Sequence, residues 1–343
     1  MHRSLLAIAP LMLVGCFHTS YLAQAGSGQI DLLRRSRPIT SVLRQGDAPL
    51  NVRRVLRRVP QIKAFAQSQG LTPSGSYERY ADLKRSAAVW VVQASAPLAF
   101  EQREWCFPIV GTVPYLGFFD AAAAHAYADE LAREERLDVD VRTASAYSTL
   151  GWLKDPVLST MISDGPEALG ELANVVLHET VHATVYVGGQ SAFNESLASF
   201  VADRMTLQWL EEAVGADAPQ TLAWRVYEAQ SRARVERMHE AWRALDALYR
   251  SSRADEEKQA EKARILAALE AQLGAKKAIN NATLAGLKDY GTGVDAFERL
   301  FEACGRRWPA FIASVRTIRA SDFAEEQTEE FDSVLERLAL SGC

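Results

Sequence analysis

Apolar side chains recur every three or four positions through residues 28–84, as in LNVRRVLRRV at 50–59. That spacing predicts a helix-rich start. The pattern then changes. Ala88–Ala94 is β-branched and aromatic and ends at Ser95 and Pro97, which predicts a strand; Leu98–Phe100, Trp105–Val110 and Val139–Tyr147 are further strand candidates. Asp120 to Arg136 reads as a helix capped by Asp120 and filled with Ala, Leu and Glu. Helices are also expected over 167–187, after Pro166, and over 194–213. Residues 220–273 hold no Gly or Pro. Val235, Met238, Trp242, Leu245 and Tyr249 form one stripe. Lys262, Leu266, Leu269 and Leu273 form another with a polar start, and Ser251-Ser252 lies between them. This predicts an antiparallel helical hairpin whose charged outer faces meet solvent. The tail, 295–339, is amphipathic helix again, in at least two pieces.

The chain has one long apolar run, Leu5–Val14, preceded by Arg3. About ten residues are too few to span a bilayer and have the proportions of a signal-peptide core. The run ends Leu13-Val14-Gly15-Cys16, which resembles the lipobox of bacterial lipoproteins. The resemblance implies cleavage before Cys16, acylation of Cys16, and a protein held on a membrane by lipid without crossing it. Several acyl chains anchor stably where one does not. Phe17, not Asp, follows Cys16, so the inner-membrane retention signal is missing. The expected address is the outer membrane, facing the periplasm.

Thirty-eight basic and 43 acidic residues give a formal charge of −5, with no concentrated basic block. A nucleic-acid binder is excluded on that ground. With 20 Gly and 12 Pro in 343 residues, collagen-like and low-complexity chains are excluded as well. Besides Cys16 there are Cys106, Cys304 and Cys343. An oxidising compartment allows one disulfide among them, and Cys304–Cys343 would tie down the C-terminus; all three reduced is the other possibility.

The chemistry lies in His178-Glu179-Thr180-Val181-His182, an H-E-x-x-H motif within an apolar helix. Positions i and i+4 share a helix face, so both imidazoles converge on one cation. Glu179 is offset from that line and is the candidate general base. Three protein ligands plus one open position suit Zn²⁺. After Gly188-Gly189 comes Asn194-Glu195-Ser196-Leu197-Ala198, with Asn194 expected as a helix N-cap. This arrangement resembles the third-ligand helix of gluzincin metallopeptidases and implies Glu195 as the third ligand. Twelve residues separate His182 from Glu195, fewer than in thermolysin-like enzymes, which demands a tight hairpin; Asp203 is the fallback ligand.

Wider segments carry a closer resemblance. YLAQAGSGQIDLLRRSRPI at 21–39, WCFPIVGTVPYLGFFD at 105–120, AYSTLGWLKDPVLSTM at 146–161 and LHETVHATVYVGGQSAFNESLASFVADR at 177–204 look like the bacterial family called putative aminopeptidases. The resemblance implies a zinc aminopeptidase acting on peptides with one Zn²⁺. It also implies an α+β, mostly helical fold with a small sheet beside the metal helix. In gluzincins the strand before that helix lines the cleft, which points to Ser148, Thr149, Leu150 and Gly151 as substrate contacts. Tyr290 is the preferred electrophile for the oxyanion, ahead of Tyr147, His239 and Tyr186. Asp155, Asp120 and Asp164 stay open as partners of a substrate ammonium.

The expected organisation is a signal peptide at 1–15 and a lipidated tether at 16–27. A metallopeptidase core at 28–218, the hairpin at 219–275 and a C-terminal helical part at 276–343 follow. A lipid-anchored binding protein with a vestigial site and a non-peptidase zinc amidohydrolase are the competing readings.

Overall fold

Prolines break the first eighty residues into separate helices. A computed structural model describes residues 9–107, 111–147, 154–286, 293–328 and 330–343, with residues 9–19 as backbone alone. Helix α1 (Ala9–Arg35) leads into strand β1 (Ser36–Pro38), then α2 (Ile39–Gln45), α3 (Leu50–Leu56) and α4 (Val59–Ser68). Pro38, Pro49 and Pro60 stand at the starts of α2, α3 and α4. A fixed φ favours helix entry there, and the missing N–H would have had no partner anyway.

The strands follow: β2 (Arg79–Ala81), β3 (Val89–Ser95), β4 (Trp105–Phe107), β5 (Gly111–Val113) and β6 (Leu116–Phe118). After α5 (Ala121–Glu130) come β7 (Asp138–Ala144) and β8 (Val157–Leu158). Asp120 caps α5 as expected, its carboxylate accepting from the Ala123 N–H at 2.8 Å. One sheet has the order β1-β2-β8 and the other β6-β3-β7, while β4 and β5 form a hairpin. Strand β3 lies antiparallel between its neighbours, with Val92 opposite Leu116 on one side and Val141 on the other. Alternate residues of β3 serve different cores. Val92 and Ala94 pack with α5 residues Ala124 and Ala128, and Val89 and Val91 join the main core.

Two expectations change here. Leu98–Phe100, expected as a strand, is a turn held by the Ser95 hydroxyl, which bonds the Ala99 and Glu101 carbonyls. Its apolar side chains pack on the helical hairpin instead of pairing in a sheet. Residues 16–27, expected as a tether, lie inside α1. The Tyr21 ring packs on Phe107 and Phe118, and the Gln24 amide bonds Gly117 O and Phe119 N at the edge of β6. A side chain thereby stands in for the strand that β6 lacks there, so the folded body begins at least as early as Tyr21.

The second half of the chain is helical. Helices α6 (Ala168–Thr184) and α7 (Ser191–Ala213) form one antiparallel pair. Helices α8 (Pro219–Tyr249) and α9 (Asp255–Leu273) form the expected hairpin. Short α10 (Asn281–Ala285), then α11 (Val294–Ala303), α12 (Trp308–Val315) and α13 (Asp332–Ser341) complete the chain. Phe193 and Phe200 of α7 pack on Phe297, Phe311 and Phe331 of the tail. Aromatic pairs at these spacings add about 0.5–1.5 kcal/mol each beyond area burial. Gly170 of α6 lets Trp224 of α8 approach closely, since a Cβ there would lie 2.6 Å from the indole.

The hairpin is not free. Lys262 is buried, and its ammonium bonds the Pro97 carbonyl and the Asp138 carboxylate of β7. Asn281 adds bonds to Asp138, Tyr249 and the carbonyls of Ala96, Pro97 and Ala99. Cys304 and Cys343 form a disulfide, and Cys106 is an exposed free thiol. The molecule is α+β and mostly helical, with small sheets. Among the described residues no helix is long and apolar enough to cross a membrane.

Candidate metal centre

Helix α6 owes its stability to burial more than to propensity. Its β-branched residues are weak helix formers, but Leu172, Ala173, Val176, Leu177 and Val181 are fully buried. Thr180 and Thr184 return their hydroxyls to the carbonyls four residues back, at 2.6 Å each. His178 and His182 lie one turn apart, their rings nearly perpendicular with centroids 4.8 Å apart.

Helix α6 ends at Thr184, and Gly189 turns the chain with φ +76°. Helix α7 starts at Ser191, three residues before the expected cap. Asn194 therefore sits inside the first turn, where its buried amide bonds both the N–H and the carbonyl of Val187. A distant segment braces the same turn. Gln327 N–H donates to the Gly189 carbonyl at 2.7 Å, and the Gln190 side chain bonds the Glu325 carbonyl at 2.8 Å. Nothing in the local sequence signals this brace.

The tight turn delivers Glu195 to the two histidines. His178 Nε2 and His182 Nε2 are 3.1 Å apart, and the Glu195 oxygens lie 3.4 Å from each. These three are the group of donor side chains, among the described residues, that can hold a metal ion. Their side chains are 17%, 5% and 31% exposed, so the group opens on the Glu195 side. Burial pushes the Glu195 carboxyl up, but the two histidines outweigh it and hold it at about 2. Burial pushes His178 down, and Glu195, Glu179 and Asp203 together bring it above its ordinary value. Three donors that draw charge from one another at one point make an arrangement a cation satisfies. His182 Nδ1 is buried without a hydrogen-bond partner among the described residues.

Glu179 is half-buried and stays outside the ligand triangle, as its offset on the helix requires. Asp203, the fallback ligand, lies outside it too. It accepts from the Asn174 amide at 2.9 Å, and burial raises its pKa.

The remaining expected residues are dispersed. Tyr290 and Ser148, Thr149, Leu150 and Gly151 lie outside the described residues, and Cys16 falls in the stretch described by backbone alone. Tyr147 packs edge-on against Phe119, with its phenol raised by burial. Tyr186 is exposed. Asp120 is spent on the α5 cap, and Asp164 accepts from Asn51 at 2.7 Å. Tyr77, which no spacing marked, proves to be a neighbour of Glu179. It is buried with φ +65°, and its phenol is raised well above the ordinary value by burial, then by Glu179 and Asp155.

The chain belongs to a family described as putative aminopeptidase, whose model matches residues 20–330. No curated protein and no solved structure matches it.

Proposed function

We propose that the protein is a zinc-dependent aminopeptidase held by lipid on the periplasmic side of the bacterial outer membrane. The observation that carries the reading is the convergence of His178 Nε2, His182 Nε2 and the Glu195 carboxylate, with the nitrogens 3.1 Å apart and a separate carboxylate oxygen 3.4 Å from each. Tetrahedral bonds of 2.0–2.1 Å subtend an edge of about 3.3 Å, and separations of this order suit donors gathered around one zinc ion. The family's description supports peptide hydrolysis.

A bound Zn²⁺ supplies Lewis-acid activation of a water and of the scissile carbonyl. His178, His182 and Glu195 hold the ion. Glu179, beside them and free of ligation, takes the proton of the attacking water and returns it to the leaving amine. The buried rear of α6 holds the helix against the core, so the general base faces a site that needs little rearrangement.

Lipidation of Cys16 would leave four residues between the anchor and Tyr21, which is packed on β6. Five residue steps reach at most about 18 Å, so the body would lie close to the bilayer. Cys16→Ser should move the protein from the membrane to the soluble fraction; continued attachment would refute the anchor.

Metal analysis should find close to one zinc per chain, lost in His178→Ala. Peptides with a free α-amine should be cleaved and their N-acetylated counterparts spared. Cleavage of both alike would leave a peptidase without exopeptidase specificity. Cleavage of neither by zinc-loaded protein would refute the hydrolase.

A further inference from the structure

Helix α1 turns an apolar side outward. Between Leu22 and Leu33 its exposed residues are Leu22, Ala23, Gly26, Ser27, Ile30 and Leu33. Successive residues of a helix turn by about 100°, which places these within an arc of about 140°. Leu22, Ile30 and Leu33 are 51%, 50% and 42% exposed. No charged residue interrupts the arc, and the Ser27 hydroxyl within it is spent on the Gln24 carbonyl at 2.9 Å. A surface helix ordinarily shows solvent its charged side and buries its apolar one. The opposite side of α1 is already committed. Gln24 bonds β6, Leu32 is buried, and a Cβ on Gly28 would strike the Phe119 ring. A Cβ on Gly26, in the arc, would meet nothing within 4 Å.

Three observations choose the occupant. The arc runs along the helix that carries Cys16, and Cys16 stands two turns before Ala23, in register with the arc. Arg34 closes the arc at its far end, exposed and without an ion pair among the described residues. A long basic side chain at that place reaches phosphate headgroups. Tyr115, 49% exposed, immediately precedes β6, the strand on which α1 packs. An amphipathic ring suits the boundary between acyl chains and headgroups. Size argues against a second copy of the chain. The arc is about 17 Å long and about 10 Å wide, far below the roughly 800 Å² per partner of a stable protein interface.

We propose that this side of α1 seats in the headgroup boundary of the membrane that holds the lipid anchor, so that the protein meets phospholipid along a helix as well as through acyl chains. The proposal deepens the lipid-anchor reading and rests on it for the source of the membrane. Leu22, Ile30 and Leu33 enter the acyl boundary, Arg34 meets anionic headgroups, and α1 lies along the bilayer plane. The β6 side of α1, with the body behind it, then faces away from the lipid.

The test uses the lipidated protein in vesicles of phosphatidylethanolamine and phosphatidylglycerol. Cys106→Ser removes the exposed thiol, and Gly26→Cys carries a bimane label in the middle of the arc. Mass spectrometry locates the label and reads acylation of Cys16 in the same sample. Doxyl-labelled lipid should quench the probe, and aqueous iodide should be excluded from it. Leu22→Gln with Ile30→Gln should weaken the seating by about tenfold or more, the scale of taking two apolar side chains out of a non-aqueous site. Iodide should then reach the probe while melting temperature and acylation stay as in the parent. A probe open to iodide in the acylated parent, or lipid quenching undiminished in the double variant, would overturn the surface and keep the anchor. A probe shielded from iodide but untouched by the lipid quencher would assign the face to a second protein chain and overturn it as well. A probe in lipid on a chain whose Cys16 carries no acyl group would keep the surface and refute the anchor.

Discussion

Asn194 grips Val187 by both ends of its amide, accepting from the N–H at 2.9 Å and donating to the carbonyl at 2.8 Å. The pair closes the turn between α6 and α7, and the residue after Asn194 is Glu195 of the group that can hold a metal ion. A side chain usually read as a helix cap here sets the distance between ligands. Asn194→Ala leaves the Val187 N–H and carbonyl without these partners in a buried site. The expected cost is about 1–3 kcal/mol, together with weaker metal binding. Thermal denaturation and a zinc titration measure the two effects. Unchanged metal affinity would show that the 325–327 brace alone positions Glu195.

Glu179 and Glu195 are carboxylates near one centre, and the proposed function gives them separate roles. Glu179→Gln keeps the ligand triangle and removes the base, so metal content should stay while kcat falls by about 10²–10⁴. Glu195→Gln removes an anionic ligand, so metal affinity should fall and excess zinc should restore part of the activity. Tight metal binding by Glu195→Gln would point to Asp203 as the ligand.

The metal-free site has a pH signature. Burial raises Glu195, but His178 and His182 prevail and hold it at about 2, below its ordinary 4.5. It therefore contributes stability above pH 4.5 that fades as pH falls toward 2. Burial lowers His178, but its acidic neighbours carry it above 6.5. Its contribution is complete below pH 6.5 and is lost as pH rises through the raised value. The metal-free parent should exceed Glu195→Gln in thermal stability most between about pH 4.5 and 6.5. A metal must displace the His178 proton, so zinc affinity should weaken as pH drops below the raised value. A stability difference that is flat with pH would contradict the coupling.

The disulfide joins Cys304, at the end of α11, to Cys343, at the end of the chain, across 39 residues. Loop closure of that length is worth about 3–4 kcal/mol. Cys343→Ser should lower the melting temperature, and a reductant should lower the parent by a similar amount while leaving the variant unmoved. Free thiol titration should give one thiol in the lipid-free native parent, from Cys106, when Cys16 is replaced by Ser.

Features set by short-range repetition were legible in the chain. The i, i+4 spacing of His178 and His182 follows from helix geometry, as do the Asp120 cap and the two stripes of the α8–α9 hairpin. Glu195 was legible only through resemblance. Its spacing permits a close approach, but the approach is made by the Gly189 turn, the Asn194 amide and a brace from residues 325–327. Leu98–Phe100 looked like a strand because the apolar side chains that satisfy the hairpin would equally satisfy a sheet. Lys262 looked like a polar helix start, and it is buried because Asp138 and the Pro97 carbonyl meet it from more than a hundred residues away. Tyr77 carried no signal, since its burial depends on how the loop after α4 packs against distant elements. Helical period and capping chemistry act over a few residues and are written locally. The partner of a buried charge, the depth of a turn and the lining of a cavity depend on which distant elements exclude water together, and packing alone sets that.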